Sequence, residues 1–335
     1  VLKKAHVHYL QNKEICMTHK LIADIGGTNA RFAQVTDTGL THIEKYLVAD
    51  YPTIQDALEH YFAAHSETRF TSVCLAIAAP ANQDWVDFSN SHWSFSCQDL
   101  KAALSLEHLL VINDFTAVAH SLPVLNDDQI IQIGSGQAEL HGNRAVFGPG
   151  TGLGVEHLTY TSAGWTTLDG EGGHVDFAPV DLTQFVVWQH VYKKLGRVTA
   201  EEIMSGRGIV NIYEALCAHH GHQSVFTEAA DITDAAIARS CPVCVEVLDV
   251  FCNAMGTFAG NLAINLATTG GVFIGGGIAA RFIEFLQASK FRARFEAKPP
   301  ISTYVKDVPT YIINEPDHGL IGAAAYLNQH LRSAP

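Results

Sequence analysis

The sequence predicts two related α/β domains facing one another across a central cleft, and three observations carry that prediction. An apolar strand that runs into a glycine turn and out into a second strand occurs twice, at residues 20–35 and again at residues 144–159. The two turns, Gly27-Thr28 and Gly150-Thr151, occupy comparable places about one domain length apart. The chain's 335 residues exceed what one ordinary core takes, so two domains are expected.

Taken in order, residues 20–25 alternate into an apolar strand with Asp24 closing it, break at Gly26-Gly27, and resume strand character at residues 31–35. Residues 54–64 have helical spacing, and the apolar run 73–78, bounded by Pro80, reads as a central strand. Residues 84–93 form a polar and aromatic loop, and a helix follows near 98–104. Leu109-Leu110-Val111-Ile112 then runs directly into Asn113 and Asp114, after which Phe115, Val118, Ala119 and Leu122 return at helical spacing. A buried strand, a short turn and a helix are expected there. The second hairpin turns on Gly148-Pro149-Gly150-Thr151-Gly152-Leu153-Gly154. Past Gly206-Arg207-Gly208 the pattern is mainly helical to about residue 267. Gly271-Val272-Phe273-Ile274 enters a third glycine turn, Gly275-Gly276-Gly277, before a helix at 281–287. The last helix, at about 319–331, shows a small-residue face of Gly322, Ala323 and Ala325.

Composition excludes several classes. With 47% hydrophobic and 16% charged residues the chain has ample material for burial. A balance of 21 Lys+Arg against 34 Asp+Glu, net −13, with no basic block, argues against nucleic acid as a partner. Seven scattered cysteines fit a reducing cytoplasm. Cys241 and Cys244 form one C-x-x-C, but a structural zinc needs four ligands and no second pair stands at usable spacing. Residues 250–280 carry no formal charge, yet seven glycines and several Asn and Thr break them into a helix, a turn and a strand, so no membrane span is expected. No signal peptide is expected either. Residues 1–16 lack periodicity and read as an extension, disordered or added ahead of a start at Met17.

Three glycine turns, each after an apolar strand, point to phosphate, because glycine lets backbone N–H groups approach an oxyanion without cationic side chains. Neither G-x-x-x-x-G-K-[ST] nor G-x-G-x-x-G occurs, so a P-loop or a dinucleotide-binding domain is not indicated. Asp114 stands where ligands collect in α/β sheets, at the carboxyl end of a strand. By itself it could equally cap the following helix, as could Asn113.

Asp24-Ile25-Gly26-Gly27-Thr28-Asn29-Ala30-Arg31, Asn113-Asp114-Phe115, Gly148 through Gly154, Glu171-Gly172-Gly173-His174 and Gly275-Gly276-Gly277, in that order, resemble the bacterial glucokinases of the hexokinase/actin-like superfamily. The resemblance runs from Met17 to the C-terminus, and the Cys-rich zinc signature of the related ROK kinases is missing, which places the kinship with the non-ROK group. It implies two actin-like (RNase H-like) α/β domains, a small one of residues 17–124 plus 315–335 and a large one of 125–314. It further implies that Asp24 holds Mg²⁺ through water and that Gly26, Gly27, Thr28 and Asn29 line the phosphate path. Gly150, Thr151 and Gly152 would cradle the terminal phosphates of ATP, and Gly275 and Gly276 would flank the adenosine. Asn113, Glu171, His174 and Glu201 would bind the sugar, and Asp114 would be both sugar ligand and catalytic base.

The residue types suit that chemistry. Sugar hydroxyls both donate and accept, so carboxylate, imidazole and amide together recognise them. Phosphoryl transfer needs in-line positioning, charge neutralisation and an acceptor for the hydroxyl proton. Closure of two domains would exclude competing water. Glu201 could instead be a first-turn helix acid, with Glu202 its rival as sugar ligand. His219-His220-Gly221-His222 reads as a solvated loop rather than a metal site, and Trp85 and Trp93 as either a sugar-side lid or packing. The expected activity is ATP-dependent phosphorylation of glucose at its 6-hydroxyl, in the cytoplasm, by a homodimer. A kinase for another hexose or hexosamine, and a non-catalytic sugar sensor, are the alternatives.

Overall fold

The structure, a computed structural model, describes residues 18–81, 83–88 and 91–333; the expected extension at residues 1–16 and the start at Met17 lie outside them. The chain divides into two compact units, one of residues up to Ala117 together with those from Asp317, the other Val118–Pro316. The changeovers therefore fall at 117/118 and 316/317 against the expected 124/125 and 314/315. The first lies inside a helix, where Val118 packs within the second unit, its Cγ1 3.8 Å from the space a Gly275 Cβ would take.

The first unit begins with β1 (Thr18–Ile25), β2 (Asn29–Thr36) and β3 (Gly39–Leu47), then α1 (Ile54–Ala64) and β4 (Arg69–Ile77). The residues expected to form a loop carry a small hairpin, β5 (Trp85–Asp87) and β6 (Ser94–Ser96), before α2 (Cys97–Ala103), β7 (His108–Asn113) and α3 (Asp114–Ser121). The main sheet has the order β3-β2-β1-β4-β7, an antiparallel meander followed by two parallel strands. Every residue of β4 after Arg69 is buried, as its unbroken apolar run requires of a central strand. The strand β7 differs from expectation: it is the edge strand, so only Ile112 is fully buried. Its four apolar residues divide between two cores, Leu109 and Val111 on one face of the sheet, Leu110 and Ile112 on the other. The helix α1 starts where Thr53 accepts from the Asp56 N–H while the Asp56 carboxylate accepts from the Thr53 N–H, a reciprocal cap. The C-terminal helix, His318–Ser333, buries Leu320, Ala323, Ala324 and Leu327 with Ile22, Cys74 and Ala76. From Leu320 the i+3, i+4, i+7 positions select Ala324, and Ala325 of the expected small face is only half-buried.

The second unit holds β8 (Ile130–Ile133), β9 (Arg144–Pro149), β10 (Leu153–Thr161), β11 (Gly164–Thr167), α4 (Leu182–Leu195), α5 (Gly206–His220), α6 (Ala229–Ile237) and α7 (Pro242–Leu266). It continues through β12 (Val272–Ile274), α8 (Ile283–Ala288), α9 (Phe291–Glu296), α10 (Ser302–Lys306) and β13 (Thr310–Ile313); the C-terminal helix of the first unit is thus α11. Its sheet, β11-β10-β9-β12-β13-β8, repeats the three-strand meander and the two parallel strands, and adds β8 antiparallel at the far edge. The repetition seen in sequence is therefore a repetition of topology. Residues 250–280 form the end of α7, a turn and β12, as expected. Among the described residues α7 is the one helix long and apolar enough to cross a membrane, and it is mostly buried as the core helix of this unit. Two of its glycines are packing sites: a Cβ at Gly256 or Gly260 would lie 2.2 or 2.5 Å from the carbonyls of Phe291 and Phe295, so α9 rests directly on the α7 backbone. His219 and His220 occupy the last turn of α5 rather than a loop, and His220 Nε2 lies 2.8 Å from Glu246.

Candidate active site

In the first unit the strand β7 passes into α3 with no intervening turn, which puts Asn113 at the helix entry and Asp114 on its first residue. The Phe115 N–H donates to both Asn113 Oδ1 and Asp114 Oδ1 at 2.9 Å, so the capping expected of one residue is shared by two. Burial pushes the Asp114 carboxyl up to about 6, with the Asp24 charge adding to it and the Phe115 N–H opposing it. Asp24, at the same end of the sheet on β1, is likewise raised by burial, moderated by Arg31 and His318. Arg31 is its cross-strand neighbour and also pairs with Asp317, one residue before α11. Gly319 leaves the Asp24 carboxylate room on the first turn of α11: a Cβ there would stand 3.2 Å from Oδ2.

The turn between β1 and β2 is closed by the Gly26 N–H donating to the Asn29 carbonyl at 2.9 Å, with Thr28 exposed at its tip. Gly27 and Thr28 line an open cavity of about 640 Å³ with Val48, Ala49, Ser91 and His92. Trp93 is buried and donates from Nε1 to the Tyr51 carbonyl at 3.0 Å, which makes it a packing residue; Trp85 is 59% exposed.

In the second unit the corresponding turn is closed one residue tighter, Gly150 N–H to Gly152 carbonyl at 2.8 Å, with Thr151 exposed. Three further segments gather on it. The first residue of α5, Gly206, donates its N–H to the Gly150 carbonyl at 2.9 Å. Gly276, at φ +79°, brings the third glycine turn so close that a Cβ would lie 2.5 Å from the Pro149 carbonyl; Gly275 is buried with ordinary spacing around it. Glu201 Oε2 accepts from the Leu153 N–H at 2.9 Å, against Gly152. The Glu201 N–H in turn donates to the Gly173 carbonyl at 2.9 Å, which ties Glu201 to the 3₁₀ turn Gly172–His174 that carries the exposed Glu171 and His174. Gly173 fits only as glycine, since a Cβ would meet the Leu153 carbonyl at 2.1 Å.

Glu201 is not a first-turn helix acid: α5 begins at Gly206, with Ser205 capping it by accepting from the Gly208 N–H. Glu202 points elsewhere, accepting from Asn211 Nδ2 at 3.2 Å. Arg207 ties the two acids together, at 3.0 Å to Glu201 and 2.8 Å to Glu202. Sequence reasoning used Gly206-Arg207-Gly208 only as punctuation and missed that role; Ser205 before a helix start was the available cue. The residues beside Asp24 on α11, nearly the whole chain away, gave no local signal.

Oxygen donors suit a hard cation such as Mg²⁺, which is held by one or two carboxylates plus phosphate oxygens and water. Asp24 is a carboxylate of that kind, and among the described residues no group of three or more His, Cys, Asp or Glu forms a dedicated cage.

A repeated α/β unit with glycine turns after the first strand is the architecture this chain shares with sugar kinases of the actin-like fold. A ROK family glucokinase from Streptomyces griseus, solved in complex with glucose and AMPPNP, shares this fold with a TM-score of 0.61 at 19% identity, over 93% of this chain and 99% of that one. A glucokinase from an Antarctic psychrotroph superimposes with a TM-score of 0.87 at 37% identity, over 92% of this chain and 98% of that one. The glucokinase of Tolumonas auensis is 42% identical over 313 residues, 93% of this chain and 97% of that protein. The Glucokinase family profile matches residues 21–330, and the chain belongs to that family.

Proposed function

We propose that this chain, as a family member catalysing ATP-dependent phosphorylation of glucose, acts at the sugar 6-hydroxyl with Asp114 as general base. The observation that carries the assignment is the Asp114 carboxyl, placed at a strand-to-helix junction beside Asp24 and pushed up to about 6. Such a group is mostly ionised at neutral pH yet binds a proton more readily than an ordinary carboxylate, as a base for a hydroxyl proton requires. As the 6-oxygen bonds to the γ-phosphorus and the bond to the ADP oxygen breaks, Asp114 takes the proton. Asn113, Asp114, Glu171, His174 and Glu201 recognise the remaining sugar hydroxyls. The contact of Glu201 with the 171–174 turn supports it over Glu202. Gly26, Gly27, Thr28, Asn29, Gly150, Thr151 and Gly152 receive the phosphates through turns that present little side-chain bulk, and Gly275 and Gly276 flank the adenosine. Asp24 would hold Mg²⁺ through water, and the bound ion would neutralise charge on the phosphates.

The protein works in the cytoplasm as a homodimer in this reading. The helix α4 supports the second copy, because Leu182, Phe185, Tyr192 and Leu195 remain exposed along it, with Phe185, Trp188 and Tyr192 stacked in sequence. The direct test of the reaction is ADP release, coupled to a dehydrogenase, across a panel of hexoses and N-acetylhexosamines. Release with glucose alone or foremost is expected. Equal release with an aminosugar would overturn the substrate, and none with any sugar would overturn the enzyme.

A further inference from the structure

We propose that Cys241 and Cys244 form a redox-active dithiol that closes to an intramolecular disulfide by exchange with a low-molecular-weight disulfide. The geometry is that of a helix start. Cys241 is the N-cap of α7 and Pro242 its first residue, so Cys244 lies one turn on, along the same face of a 25-residue helix. Residues three apart in a helical turn have Cα atoms about 5 Å apart, inside the range a disulfide spans, so closing the bond needs no rearrangement of the helix. The Cys241 side chain lies close enough to Cys244 to bear on its titration.

The pair is asymmetric. Cys241 is partly exposed, whereas Cys244 is fully buried. Cys241 makes no side-chain capping bond that would occupy its sulfur. Burial, the Cys241 thiol and Cys217 push Cys244 up to about 12, which keeps it a thiol until its neighbour has reacted.

The exchange balances as two displacements. The Cys241 thiolate attacks one sulfur of RSSR, forming the mixed disulfide Cys241–S–S–R and releasing RS⁻. The Cys244 sulfur, giving up its proton, then attacks the Cys241 sulfur and expels the second RS⁻. The protein dithiol loses two electrons and two protons, and RSSR becomes two RSH.

The test uses the full chain equilibrated with oxidised and reduced glutathione, quenched with acid, alkylated, digested and mapped by tandem mass spectrometry. Wild type should show a Cys241–Cys244 bond that thiol reductant removes. Cys244→Ser, lacking the second sulfur, should accumulate one glutathionyl group on Cys241, and Cys241→Ser should leave the buried Cys244 unmodified. A wild-type chain that remains fully reduced in oxidised glutathione alone would overturn the proposal whatever the variants do. So would a bond joining Cys217 to Cys244, or glutathione on Cys241 of wild type that never resolves.

Discussion

Replacing Asp114 by Asn should stabilise the protein while disabling it. The displacement of the carboxyl from its ordinary 3.8 to about 6 means that the folded state holds this proton more tightly than the unfolded chain does. Between those two values the native state carries the extra proton, so stability falls as pH rises through the window and stays lower above it. At 1.36 kcal/mol per decade of proton affinity the full penalty is about 3 kcal/mol at pH 8, and about 1.5 kcal/mol at pH 5, where the folded acid is largely protonated. An amide at position 114 keeps an Oδ1 to accept from the Phe115 N–H and removes the charge that burial and Asp24 disfavour. Urea unfolding followed by circular dichroism at pH 5 and pH 8 measures the difference. Asp114→Asn should gain on wild type by about 1.5 kcal/mol between the two pH values, while turnover drops by about 10²- to 10⁴-fold for loss of a general base. For wild type, kcat/KM for glucose should decline below about pH 6 as Asp114 takes up its proton. A variant that loses activity with no pH-dependent gain in stability would refute the assignment of a strained, charged Asp114; near-normal turnover would refute its role as base.

Arg207→Met should raise the KM for glucose with little change in kcat, because it loosens Glu201 and Glu202 while the backbone bond that closes the Gly150 turn stays in place; for an ion pair with a half-exposed arginine, up to about fivefold is expected from steady-state kinetics. Gly173→Ala should cost about 1–3 kcal/mol or prevent folding, since its Cβ would meet the Leu153 carbonyl at 2.1 Å, whereas Gly150→Ala, with nothing nearer than 3.9 Å, should unfold with the wild type in the same urea assay. Phe185→Glu with Tyr192→Glu should shift sedimentation from dimer to monomer with circular dichroism unchanged; an unaltered dimer would remove α4 from the interface.

Elements with strong periodicity or punctuation were legible in the sequence. The helix over residues 54–64 and the central strand β4 stand where apolar spacing puts them, and both glycine hairpins form as strand, turn, strand. What escaped was set by partners. The strands β8 and β13 have four residues each, too few to show a period, and they exist because they pair with one another, with β12 on the other side of β13. The helix α4 hides its period because it exposes Phe185 and Tyr192 on the face that ought to be polar. At the site, Asn113 and Asp114 are legible from the change of period at residue 113. Choosing Glu201 over Glu202 is not, since both acids bond Arg207 and only the fold shows that the Leu153 N–H meets Glu201.

The repeated hairpin also shows how one unit came to differ from the other. In the first, the second residue pair back from the turn is Asp24 with Arg31; in the second it is Gly148 with Gly154. A carboxylate on the strand itself thus stands beside the first turn, half-buried, with Arg31 and His318 drawing its proton affinity down and Asp114 nearby. The second turn has no carboxylate at that pair. Its acid comes instead from Glu201, folded back onto the Leu153 N–H and held by Arg207. In the proposed roles the same backbone would serve two chemistries. An acid fixed in a strand, with a second acid near it, suits a cation and a proton. An acid returned from a loop, beside the exposed Glu171 and His174, can be aimed at hydroxyl groups while the glycines beneath it stay bare. On this account the loop that carries Glu201, rather than the hairpin, is where a change of sugar preference would arise.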